Sequence, residues 1–126
     1  MPLRLGHPPW ARLRATVTGT DFSEPAVAAA RKLSRDARVP GRFTVCELYD
    51  TPATVSEQFD IVYTGVGALC WIPDIRGWAR VVSDTLSPGG TFCILEYHPV
   101  LWSLDDERAD GELVIKRPYF EAAQPT

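Results

Sequence analysis

The chain has 126 residues, 45% of them hydrophobic and 23% charged, with a net charge of −3. That is room for one domain, too apolar for a disordered polymer or a collagen-like fibre, and its apolar runs, broken within about eight residues, fall short of the roughly 20 that a bilayer crossing needs. The acidic balance and scattered arginines argue against nucleic acid as a partner. Residues 1–9 lack the apolar stretch of a secretory signal, so a cytoplasmic location is expected. Cys46, Cys70 and Cys93 have neither metal-ligand nor disulfide-framework spacing and read as plain buried thiols.

In chain order, residues 15–20 form a short β-branched run, a strand that closes at Asp21. Ser23 then caps a helix, with Pro25 in its first turn and apolar residues at helical spacing through Leu33; it stops near Ala37 and Arg38, because Pro40 and Gly41 cannot continue it. Residues 42–46 are a second strand. Residues 59–64 are a third, almost continuously apolar, as a strand covered on both faces of a parallel sheet would be. Asp74 caps a second helix over 75–86, with Ile75, Trp78, Ala79, Val82 and Leu86 on one stripe. Pro88, Gly89 and Gly90 turn the chain into a fourth strand over 91–97. Residues 105–110 are a charged loop, and 113–115 are a candidate short strand in an irregular tail that begins at 100. The order strand, helix, strand, strand, helix, strand over 15–99 predicts an α/β fold with a mainly parallel sheet of about four strands flanked by helices.

Three segments, residues 17–23 (VTGTDFS), 59–63 (FDIVY) and 86–92 (LSPGGTF), resemble in order and interval the second, fourth and fifth strands of a class I S-adenosylmethionine-dependent methyltransferase. Residues 65–74 and 96–101 resemble a bacterial small-molecule branch of that family. The resemblance covers residues 10–99 and implies a Rossmann-like sheet with ligands at the carboxyl ends of its strands. It also implies S-adenosylmethionine as cofactor and a small molecule as methyl acceptor.

What the resemblance implies for each residue stands beside a plainer reading. Asp21 matches the acid that accepts hydrogen bonds from the ribose hydroxyls, or it is an Asx-turn or helix-capping group. Phe22 packs on the adenine or belongs to the core. Glu47 matches the acceptor for the adenine amino group and Leu48 its apolar neighbour, or Glu47 is a solvated loop carboxylate; Asp50 is a weaker candidate. Thr64, Gly65, Val66 and Gly67 match the segment lining the methionine portion of the cofactor, where small residues let backbone approach ligand, or they are turn residues. Trp71 and Trp78 read as packing residues. His98 follows the fourth strand and is a candidate general base with Glu96 orienting it, or a turn residue before Pro99.

The family's first strand and glycine-rich turn have no counterpart upstream of Thr16, and residues 1–14 read as the remnant of the first helix. In the family that first strand lies between the second and fourth. Its loss leaves those two either to pair directly or to leave an exposed gap, with self-association through exposed sheet edges as a consequence. The expectation is a single partial methyltransferase domain over 1–126, a fragment of a larger enzyme. The alternatives are a non-catalytic remnant or interaction module that binds no cofactor, and a Rossmann oxidoreductase that uses Asp21 on the ribose of NAD.

Overall fold

The computed structural model describes residues 15–120, so the expected remnant over 1–14 lies outside the described residues. The first part of the fold is a parallel β-α-β unit of β1 (Val17–Asp21), α1 (Glu24–Asp36) and β2 (Gly41–Val45). Ser23 starts α1 by accepting a hydrogen bond from the Ala26 N–H at 3.3 Å, and Pro25 sits in the first turn. Val27 and Ala30 share the inner face of the helix and are buried with Val17 of β1. Arg31 donates twice to the Phe43 carbonyl, at 3.0 and 2.5 Å, and ties α1 to β2. The helix stops where expected, with Arg38 in the left-handed region (φ 52°) and the Val39 N–H donating to the Ser34 carbonyl at 3.0 Å. Glycine ordinarily fills that position.

The second part is another β-α-β unit of β3 (Phe59–Thr64), α3 (Ile75–Thr85) and β4 (Leu86–Ile94), preceded by the short helix α2 (Thr51–Val55). Asp74 caps α3 through the Gly77 N–H at 2.9 Å. The buried stripe is Gly77, Val81 and Thr85, with Trp78 and Val82 half-buried beside it, whereas Ile75 and Ala79 are exposed. The helix is thus rolled away from the expected stripe. The cause is close approach at Gly77, where a Cβ would stand 2.9 Å from the Tyr49 ring. Trp78 packs edge-on to Phe92, with centroids 5.7 Å apart.

β4 begins earlier than expected and ends earlier. Phe59 pairs with Leu86 and Ile61 with Thr91, so the Pro88-Gly89-Gly90 segment is a bulge inside the ladder rather than a turn before it. Gly89 has φ 79°, and a Cβ on Gly90 would lie 2.9 Å from the Ser87 carbonyl oxygen and 3.0 Å from that of Asp60.

The fold is α/β with parallel strands, as the sequence predicts, but the strands divide into two sheets of two, β1 with β2 and β3 with β4. Direct pairing of β1 with β3, the first of the two outcomes expected for them, does not occur among the described residues. Side chains join the units instead. The Tyr49 hydroxyl accepts from the Asp74 N–H at 3.1 Å and donates to the Asp74 carbonyl at 3.4 Å. Arg42 reaches both the Thr18 hydroxyl, at 3.1 Å, and the Glu57 carboxylate. Buried apolar side chains among the described residues are few, namely Val17, Val27, Ala30 and Val81. The thiols depart from expectation for the same reason: Cys46 and Cys93 are half-buried and Cys70 is exposed. No helix among the described residues is long and apolar enough to cross a membrane.

After β4, α4 (Pro99–Ser103) leads into a loop that returns on itself. Residues 113–115 contribute a single antiparallel bridge, Ile115 to Leu104, supported by the Asp105 N–H on the Val114 carbonyl at 2.9 Å. Lys116 joins Glu107 at 2.6 Å and Asp105 at 3.1 Å, Arg117 joins Asp106 at 3.1 Å, and Arg108 pairs with Asp110. Arg117 holds the Asp106 carboxyl below its ordinary value of 3.8, and Arg108 does the same for Asp110. Hydrogen bonds to Glu107 and Asp105 raise the Lys116 ammonium above 10.5. A lowered carboxyl stabilises the closed loop above its ordinary pKa and stops doing so as pH falls through the lowered one. A raised ammonium does so below its ordinary pKa, and the contribution is lost as pH rises through the raised one. The Asp105 amide resonance is therefore expected to hold steady from about pH 5 to 9 and to move at either extreme, with both excursions reduced at high salt.

Candidate functional site

Parallel pairing brings the carboxyl ends of two strands to one edge in each unit, with Asp21 opposite Val45 and Thr64 opposite Ile94. The sequence-predicted residues gather there in two groups. In the first, the Asp21 main-chain carbonyl accepts from the Cys46 N–H at 3.0 Å, which puts Asp21 beside the start of the segment carrying Glu47 and Leu48. Asp21 Oδ1 accepts from the Ser23 N–H at 2.8 Å, the Asx turn that was one of its two readings. A carboxylate has about four acceptor sites, so that turn leaves acceptor capacity on the same group. Phe22 is 73% exposed. The Glu47 side chain is exposed and has no hydrogen-bond or ion-pair partner among the described residues. Leu48 is half-buried at the head of a 3₁₀ turn, Leu48–Asp50, whose last residue, Asp50, is exposed.

The second group lies between β3 and the exit of β4. Thr64 ends its strand half-buried. A Cβ on Gly65 would find nothing within 4 Å, so the surface is open there. Gly67 adopts φ 71°, and a Cβ on it would meet the Tyr97 ring at 3.6 Å. Beyond it, the N–H groups of Ala68 and Leu69 both donate to Glu96 Oε1, at 2.8 and 3.1 Å.

That last contact corrects an expected pairing. Glu96 serves the loop after β3, and no hydrogen bond between it and His98 is present among the described residues. His98 instead caps α4, its Nδ1 accepting from the Val100 N–H at 3.2 Å. A neutral imidazole that accepts at Nδ1 carries its proton at Nε2, so proton abstraction by Nδ1 would require release of the cap. Trp71 also departs from its packing role and is 84% exposed, whereas Trp78 does pack. Among the described residues no hydrogen bond joins the two groups directly; Tyr49, next to Leu48, reaches Asp74 at the far end of the segment that Glu96 holds. Sequence reasoning missed the Ala68 and Leu69 amides as partners of Glu96. The available signal was Gly67, whose positive φ turns that segment back toward Tyr97. No grouping of three metal-ligating side chains occurs among the described residues.

No curated protein matches the chain. A family model described as a methyltransferase domain matches residues 8–92, more than half of the chain and all of the span from β1 through α3. With the first parallel β-α-β unit and all of the second but the last residues of β4 within the match, the chain belongs to the methyltransferase domain family, in the class I S-adenosylmethionine-dependent group that its strand motifs resemble.

Proposed function

We propose that this domain transfers a methyl group from S-adenosylmethionine to a small-molecule acceptor at the carboxyl edge of its strand pairs. One observation carries the reading: Asp21, Phe22, Glu47, Leu48, Thr64, Gly65 and Gly67, the residues for which the family resemblance implies cofactor contact, lie at or just beyond the carboxyl ends of β1, β2 and β3. The donor and acceptor chemistry fits. Asp21 keeps acceptor capacity outside its turn, the Glu47 carboxylate is exposed, and the surface at Gly65 is open.

In this reading Asp21 accepts from the ribose hydroxyls and Glu47 from the adenine amino group, while Phe22 and Leu48 offer apolar faces to the ring. Thr64, Gly65 and Gly67 leave room for the methionine half. The cofactor supplies a methyl carbon already activated by its sulfonium. The protein's part is to hold the acceptor in line with that carbon and to exclude competing water. His98 then serves as a cap, fixing the start of α4 beside the site rather than moving a proton.

Calorimetric titration of the chain with S-adenosylmethionine is expected to show micromolar binding, weakened about tenfold or more by Asp21→Ala, which removes charge-assisted acceptors. A second reading, a non-catalytic module without cofactor, is favoured by the second edges of β1 and β3, which have no strand partner among the described residues. Absence of binding by the unaltered chain would decide for it.

A further inference from the structure

We infer that Glu96 is a positioning residue for the methionine half of the site, acting through the main chain of Ala68 and Leu69 and not through His98. The inference rests on the functional reading above. Its physical basis is the way the segment between Thr64 and Trp71 is held.

Two successive N–H groups converge on one carboxylate oxygen at 2.8 and 3.1 Å, from residues 28 and 27 positions away in the chain. They stand at the head of the 3₁₀ turn Leu69–Trp71, where main-chain donors lack partners inside the turn, and no side chain within the segment caps it. Glu96 supplies that cap from another element, with a charge-assisted bond roughly twice as strong as a neutral one. The next residue of the β4 exit reinforces it, because the Tyr97 ring lies under Gly67. The Cys70 thiol closes the same turn on the Gly67 carbonyl at 3.3 Å.

At its other end the segment is held by the ladder, with Thr64 opposite Ile94. Only Gly65 and Val66 lie between these anchors without comparable contacts; Gly65 has open space where a Cβ would be, and Val66 is exposed. The loop is thus clamped on both sides of the residues that would face the methionine half. Without the carboxylate, Ala68 and Leu69 lose their shared acceptor and the clamp opens on the Trp71 side, while Asp21, at the end of the other strand pair, and Glu47, just beyond it, keep their positions.

The test uses the full chain, the variants Glu96→Ala and Glu96→Gln, and two nucleosides. S-Adenosylhomocysteine carries the amino-acid half and methylthioadenosine does not. Glu96→Ala is expected to speed amide hydrogen exchange at Ala68 and Leu69 by about tenfold or more and to weaken S-adenosylhomocysteine by a similar factor, with methylthioadenosine changed less than about twofold. Glu96→Gln keeps an acceptor oxygen but loses the charge, and is expected to quicken exchange at Ala68 and Leu69 by about two- to threefold and to weaken S-adenosylhomocysteine by no more than that. Equal loss of both nucleosides, unchanged exchange at Ala68 and Leu69, or a Gln variant as impaired as Ala would each overturn the proposal. Should the Ala variant not melt cooperatively, the Gln variant decides: exchange quickened at Ala68 and Leu69 more than at Val81 supports the clamp, and uniform quickening or none overturns it. If the unaltered chain binds neither nucleoside, the functional reading fails, and the role of Glu96 at a cofactor fails with it. Altered nucleoside selectivity without a change in exchange leaves that reading standing and removes the clamp alone.

Discussion

Val27→Asp is expected to abolish the cooperative thermal transition of the chain, as followed by far-ultraviolet circular dichroism. Val27 is 3% exposed on the inner face of α1, and the buried apolar set among the described residues contains only Val17, Ala30 and Val81 besides it. An unpaired carboxylate at that depth costs several kcal/mol. Domains are ordinarily stable by only about 5–15 kcal/mol, and so thin a core leaves little in reserve. Val27→Ala removes the same contacts without adding charge and is expected to lower stability by about 1–3 kcal/mol while leaving a transition to observe. A Val27→Asp chain that melts like the unaltered one would show that α1 does not pack on β1 and β2 through this residue.

Gly90→Ala is the second large effect, and it falls in the other unit. A Cβ there would stand 2.8 Å from Leu86 Cδ1, 2.9 Å from the Ser87 carbonyl oxygen and 3.0 Å from the Asp60 carbonyl oxygen. The leucine tip can rotate away, but the two carbonyls belong to the bulge and to the facing strand, so relief requires the ladder to part. A loss of about 2–3 kcal/mol in urea denaturation is expected, in the upper part of the overpacking range. The adjacent Gly89→Ala is the control. Its φ of 79° strains any side chain, but nothing lies within 4 Å, so about 1 kcal/mol is expected. Equal losses at the two glycines would contradict the close approach at Gly90. Combined with Val27→Ala, the Gly90 loss should add to within about 0.5 kcal/mol, since the two sites share no strand pairing.

The elements were legible because their signals are local. Ser23 and Asp74 cap the helices they were expected to cap, and the apolar run over Phe59–Thr64 is a strand. Where the sequence misled, the deciding contact came from elsewhere in the chain. The roll of α3 depends on Tyr49, 28 residues before Gly77, and no periodicity within the helix carries that information. The Pro88-Gly89-Gly90 segment has the composition of a turn, and only its pairing partner shows it to be a bulge. The same holds at the site. Asp21 kept both its readings, since an Asx turn and a ribose contact draw on different lone pairs of one carboxylate. Glu96 and His98, neighbours in sequence, go to different partners because β4 ends at Ile94 and the chain beyond it no longer alternates as a strand.

The division into two sheets bears on reach. Within a sheet, neighbouring strands are held near 4.8 Å apart by their hydrogen-bond ladder, so groups on adjacent strands keep a constant span. Asp21 ends one ladder and Glu47 follows two residues beyond it, while Thr64 ends the other and the segment held by Glu96 follows that one. The span from the first pair to the second is set by contacts such as Tyr49 with Asp74 and Arg42 with Glu57. Such contacts yield by side-chain rotation, at smaller cost than breaking a ladder. The distance between the two ends of one elongated ligand is therefore an adjustable dimension of this molecule, and a ligand that touches both ends would act as a ruler that sets it.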